Sequence, residues 1–172
     1  MSDYFSMAEM TESSTAVRFG IDNTPDLQVV QNLSITVTGL TKVRQLLGHP
    51  VHVNSGYRCE ALEKILSASD YQAWCQRNGD LPGDASWKRY FANKAHARGY
   101  AADFTCAQFG SPTEIVALLQ SSRIAFDQCI AEGDWVHISF DPRLRGEVLT
   151  KRFDASGVAT SSVPVPRGSM NR

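Results

Sequence analysis

Only four histidines occur in the 172 residues, and two of them stand in segments dense with chemistry-bearing side chains. The first reads Ala95-His96-Ala97-Arg98-Gly99-Tyr100-Ala101-Ala102-Asp103, the second Asp134-Trp135-Val136-His137. Two imidazoles and a carboxylate form the ligand set of a catalytic zinc, which takes three protein N or O donors and keeps a fourth position for water. His96, Asp103 and His137 are therefore the candidate metal ligands. Alone, a histidine followed seven residues later by an aspartate is a weak pattern, and it equally describes a helix-cap histidine and a surface carboxylate. The second segment strengthens it, because an acid stands three residues before His137. Such an acid takes a proton from an activated water and passes it to a leaving amine, which makes Asp134 the candidate general base. Gly-Asp is also ordinary hairpin-turn chemistry, and Glu132, two residues earlier, is a rival base. Arg58, after Ser55-Gly56-Tyr57, is a candidate to hold a substrate carboxylate or carbonyl and to stabilise an oxyanion; without context a surface salt bridge is the favoured reading. His49, beside Pro50, and His52, in a short strand, have no spaced ligand partner and read as structural.

Positioning these groups requires a scaffold, and the hydrophobic pattern supplies its outline. Thr24-Pro25 reads as a helix cap followed by a first-turn proline. From there Leu27, Val30, Leu33, Val37, Leu40, Val43 and Leu47 recur at three- and four-residue steps, which predicts a long amphipathic helix ending at Gly48-His49-Pro50. Val51–Val53 reads as a strand, 59–66 as a helix and 101–104 as a strand. Ser111-Pro112-Thr113-Glu114 is a capping box opening a helix through Leu119. Two strands, 124–130 and 135–140, are predicted to form an antiparallel hairpin with a four-residue loop over 131–134. The expected fold is α+β, with helices packed on a small antiparallel sheet. A domain over 1–154 is expected, with an aromatic-rich stretch at 67–93 holding Tyr71, Trp74, Trp87, Tyr90 and Phe91, followed by a loose tail over 155–172. Within that tail, Val165–Ser169 resembles part of a protease-cleavable linker.

Composition narrows the classes of function. A net charge of -1 and a pI near 6.4 give no electrostatic footprint for nucleic acid. No apolar run approaches the roughly 18 residues of a membrane span, and the N-terminus lacks the basic and apolar regions of a secretory signal. Cys59, Cys75, Cys106 and Cys129 form no Cys-x-x-Cys pair and are expected to be free thiols. No Gly-x-Ser-x-Gly elbow is present, which sets aside a serine hydrolase.

Together these segments resemble one family, the zinc D-alanyl-D-alanine carboxypeptidases and phage L-alanyl-D-glutamate endopeptidases, whose fold is shared with the hedgehog signalling domain. Phe5–Glu9, Asn23-Thr24-Pro25, Ser55–Arg58, His96–Asp103, Phe126-Asp127-Gln128 and Trp135–Ser139 occur in that family's order. The resemblance implies a zinc ion on His96, Asp103 and His137, Asp134 as general base and acid, Arg58 polarising the scissile carbonyl, and a glycine at Gly99 where the backbone turns or packs closely. It implies hydrolysis of a peptide bond in bacterial peptidoglycan by a monomer made without a signal peptide and delivered by a phage or prophage. A non-catalytic cell-wall-binding or phage structural module on the same fold is the alternative. Two departures stand out: Lys94 occupies a position that is usually serine, and the aromatic-rich 67–93 stretch is longer than the family's connection.

Overall fold

A computed structural model of the chain describes residues 4–153 and 159–164. Two short N-terminal helices, α1 (Met7–Thr11) and α2 (Ser14–Phe19), precede the long α3 (Leu27–Leu47). Asp26 caps α3, its carboxylate accepting from the Val29 N–H at 2.8 Å. The expected cap at Thr24 is corrected by two residues, because the Thr24 N–H is itself engaged by Asp22 in a turn and Pro25 lies outside the helix. The buried stripe of α3 is Val29, Leu33, Thr36, Val37, Leu40, Val43 and Leu47, while Leu27 is 84% exposed. Each fully buried leucine on this stripe contributes about 1.5–3 kcal/mol.

The chain continues through β1 (His52–Ser55), α4 (Glu60–Leu66), α5 (Ala68–Asn78), α6 (Asp84–Phe91), β2 (Ala101–Thr105), α7 (Pro112–Ser121), β3 (Gln128–Glu132), β4 (Trp135–Ser139), β5 (Glu147–Phe153) and β6 (Ala159–Pro164). The capping box at Ser111 and Glu114 forms as the sequence predicts. The strands make one sheet in the order β1-β2-β4-β3-β5-β6. The fold is α+β, and the sheet is mixed rather than purely antiparallel, because β5 runs parallel to β3 after a crossing loop. The predicted four-residue hairpin loop shortens to Gly133-Asp134, since Glu132 pairs directly with Trp135. Gly133 takes φ +54°, the left-handed conformation such a two-residue turn needs. Ile124–Asp127 precede β3 and are not strand. Of the tail expected over 155–172, Ala159–Pro164 form β6, antiparallel to β5, because the outer edge of β5 offers unpaired backbone groups; 155–158 and 165–172, with Val165–Ser169, lie outside the described residues.

Alternation divides the sheet into two faces. Val53, Ala102, Phe104, Cys129, Ala131, Val136 and Ile138 face the core beneath α3 and α7. Their neighbours Asp103, Ile130 and His137 point the other way, and the register sets these three side by side. That second face carries the chemistry.

The loop from β4 to β5 is tied down by charge. Asp127 accepts from Arg145 Nε at 2.9 Å and Nη2 at 2.8 Å, and Asp141 accepts from Arg143 Nε at 2.8 Å. The Arg145 hydrogen bonds hold the Asp127 carboxyl below its ordinary 3.8. Burial pushes Asp141 up, but hydrogen bonds from Arg143 and the charge of Arg98 outweigh it and leave it lowered. A carboxyl with a depressed folded pKa stabilises the fold above its unfolded value, and that stability is lost as pH falls through the folded value. Melting temperature is therefore expected to drop on acidification below about pH 4, and thermal melts of wild type and Asp127→Asn check it: the variant starts lower at pH 7 and loses less on acidification.

Candidate metal centre

His96 leads into β2 from a turn, Asp103 lies on β2 and His137 on β4. His96 Nε2 stands 3.2 Å from Asp103 Oδ1 and 3.2 Å from His137 Nδ1, and His137 Nδ1 stands 2.9 Å from Asp103 Oδ1. Three ligands of a tetrahedral zinc, each roughly 2.0–2.1 Å from the ion, stand about 3.3–3.4 Å from one another. The observed triangle is therefore close to the one a zinc ion imposes. Among the described residues this is the group of His, Cys, Asp and Glu able to share an ion.

Protonation supports the fit. His96 Nδ1 lies 2.6 Å from the Gly56 carbonyl, which can only accept, so Nδ1 carries the proton and Nε2 presents a lone pair. Burial, with the charge of Arg58, lowers the His96 pKa against the pull of Asp103, which keeps the ring neutral. Burial pushes Asp103 up, but the two imidazoles and the Arg58 guanidinium beside it hold it well below 3.8 as a carboxylate. His96 Nε2 and Asp103 Oδ1, both acceptors, thus stand 3.2 Å apart with His137 Nδ1 beside them, an arrangement that a cation satisfies.

The surrounding residues explain motifs whose roles the sequence left blank. In Ser55-Gly56-Tyr57-Arg58, Ser55 Oγ accepts from Arg58 Nε at 2.9 Å, the Gly56 carbonyl fixes His96, and the Tyr57 N–H donates to the Met10 carbonyl at 2.7 Å. A Cβ on Gly56 would collide with that same Met10 carbonyl, so α1 presses against the loop that orients His96. Asn23 reaches the same loop, donating to the Tyr57 carbonyl and accepting from the Cys59 N–H at 2.8 Å. From α3, buried Asn32 and Thr36 donate to the Arg98 and Gly99 carbonyls at 2.8 and 2.7 Å. Gly99 combines both properties expected of it: φ is +76°, and a Cβ would stand 2.8 Å from the Val29 carbonyl.

The triad lines a cleft of about 650 Å³, together with Arg58, Glu132 and Gln128. Arg58 pairs closely with Asp103 Oδ2 and lies 3.7 Å from Glu63. Glu132, on the cleft face of β3, is 3.7 Å from Lys151. Asp134 is exposed in the hairpin turn and is not among the residues lining the cleft. His49 and His52 are exposed and stand outside the triad. The sequence reading missed Glu63, a buried carboxylate of α4, and the signal for it was no more than an acid on an apolar helix face. Lys94 is balanced by Glu63 at 3.5 Å and by the Tyr90 ring face at 4.0 Å. In the 67–93 stretch, rings of Tyr71, Trp74, Trp87, Tyr90 and Phe91 pack on one another, and Trp74 and Tyr90 also form cleft wall. Cys59, Cys75, Cys106 and Cys129 are unpaired thiols, and burial pushes the Cys129 thiol far up, away from nucleophilic use.

Two imidazoles and a carboxylate lining an open cleft form a group that could hold one metal ion. The family model described as Peptidase M15 matches residues 3–70, less than half of the chain. The matched segment holds Asn23, Gly56, Arg58 and Glu63, the platform beneath the site, whereas His96, Asp103 and His137 lie beyond it and rest on the geometry above. No curated protein matches the chain. No helix among the described residues is long and apolar enough to cross a membrane.

Proposed function

We propose that the chain is a zinc-dependent peptidase that hydrolyses a peptide bond in the stem or cross-link of bacterial peptidoglycan. The observation that carries this reading is the triangle of His96 Nε2, Asp103 Oδ1 and His137 Nδ1, with sides of 2.9–3.2 Å, at the floor of a cleft wide enough for a peptide. A zinc ion held there supplies Lewis acidity to a carbonyl and makes water nucleophilic near neutral pH.

The chain's own residues provide the rest. Glu132 takes the proton of the attacking water and returns it to the leaving amine. Its place on the cleft lining favours it over Asp134, the base the family resemblance implies. Lys151 Nζ, 3.7 Å from the Glu132 carboxylate, orients it in the cleft. Arg58, anchored by Ser55 and Asp103, has further guanidinium donors with which to polarise the scissile carbonyl and hold the developing oxyanion. Specificity between D-Ala-D-Ala, L-Ala-D-Glu and cross-bridge bonds follows from the cleft walls.

The test is mass spectrometry of fragments released from purified peptidoglycan by the full chain, with and without a zinc chelator. Chelator-sensitive fragments are expected, and the newly exposed terminus names the bond. Intact peptidoglycan after incubation with folded, zinc-loaded protein would replace this reading with a cell-wall-binding module.

A further inference from the structure

The aromatic-rich stretch over 67–93 builds one arm of the cleft, and the hydrolytic reading leaves that arm unused. On α5, Asp70 and Trp74 stand four residues apart, which puts them one above the other on a single helix face. That face meets the sheet, since both residues line the cleft and Asp70 Oδ2 lies 3.7 Å from Lys151 Nζ on β5. Lys151 is also 3.7 Å from Glu132 on β3, whose strand partner is Trp135. Trp135 stands two residues before His137, on the same face of β4. Two partly exposed indoles therefore border this arm, one from the helix and one from the sheet. The rest of the aromatic cluster is turned inward: Trp87 is 7% exposed and donates from Nε1 to Glu60 at 2.8 Å, and Tyr90 is 6% exposed.

The mixture of rings and acids identifies the kind of ligand. An apolar peptide side chain would cover the indoles but strip water from the carboxylates of Asp70 and Glu132 without replacing it. An anionic group would meet two carboxylates balanced by one ammonium, that of Lys151. A neutral pyranose suits both features, because its C–H face lies flat on an indole while its hydroxyls donate to a carboxylate at the ring edge.

We propose that Trp74 and Asp70 form a saccharide subsite for a neutral N-acetylhexosamine, with Trp135 as its second wall, so that the chain grips the glycan strand from which the stem peptide hangs. Trp74 supplies the ring face and Asp70 the hydroxyl acceptor, and Glu132 is left to the reacting bond. That the sugar belongs to the cell-wall glycan rests on the proposed function; the preference for a neutral sugar rests on this arm of the cleft alone.

The experiment follows the indole N–H signals of the three tryptophans by NMR while the full chain, without added metal, is titrated with the N-acetylglucosamine tetrasaccharide, which carries no stem peptide. The Trp74 and Trp135 signals are expected to shift and the Trp87 signal to hold still. Trp74→Ala is expected to weaken binding at least about fivefold, and Asp70→Asn, which keeps the shape and removes the charge, about threefold. A Trp74 signal unmoved in the wild type up to about 10 mM sugar, or undiminished binding by folded Trp74→Ala, overturns the subsite. An equal shift of Trp74 with the free peptide L-Ala-D-Glu-L-Lys-D-Ala-D-Ala overturns its preference for sugar. Sugar binding without cleavage of peptidoglycan leaves the subsite standing and removes the peptidase reading; cleavage without sugar binding does the reverse.

Discussion

His96→Ala and His137→Ala are each expected to abolish stoichiometric zinc binding, and hydrolysis with it. Each variant removes one of three donors that stand within 3.2 Å of one another, leaving two ligands and a cleft open to water. Loss of residues that merely orient metal ligands weakens affinity by about 10–100-fold, so loss of a ligand itself is expected to exceed about 100-fold. His137→Ala is the cleaner variant, because His96 is also the donor to the Gly56 carbonyl and its removal leaves a buried acceptor without a partner. Metal content by atomic emission after dialysis, beside a thermal melt to establish folding, reads the result. A folded His137→Ala protein that keeps one equivalent of zinc would break the assignment of the centre, whereas His49→Ala and His52→Ala are expected to keep it.

Glu132→Gln separates metal binding from proton transfer. The glutamine preserves shape in the cleft but cannot accept a proton, so zinc stays stoichiometric while kcat falls about 10²–10⁴-fold, the range for loss of a general base. Asp134→Asn, in an exposed turn, changes an ordinary surface position, and its rate is expected to stay within about twofold of wild type. Steady-state kinetics on one peptide substrate with the two purified variants decides between the carboxylates. The reverse pattern, a silent Glu132→Gln and an inactive Asp134→Asn, would return the role to the residue three positions before His137.

The two carboxylates differ by a property that no local motif states. A four-residue loop over 131–134 would place both Glu132 and Asp134 in the turn. With a two-residue turn, Glu132 becomes the last residue of β3, opposite Trp135 and on the same face as Ile130 and His137. Strand pairing decides which acid enters the cleft, and pairing is a contact between segments rather than a property of either one.

Local physics determined much of this protein from the sequence alone. The apolar period of α3, the Ser111 capping box and the strand character of 101–104 and 135–139 need only near neighbours, and they formed. The identity of His96, Asp103 and His137 as one group was also legible, because only four histidines occur and two of them share a segment with an aspartate. Tertiary structure alone decided the rest. That β5 joins β3 in parallel, that the Gly56 carbonyl sets the His96 tautomer, and that Glu63 lies buried beside Lys94 all depend on groups 19 to 40 residues apart in the chain. Such contacts leave little local trace, since a backbone carbonyl is the same group at every position and an acid on a helix looks solvated until another element covers it.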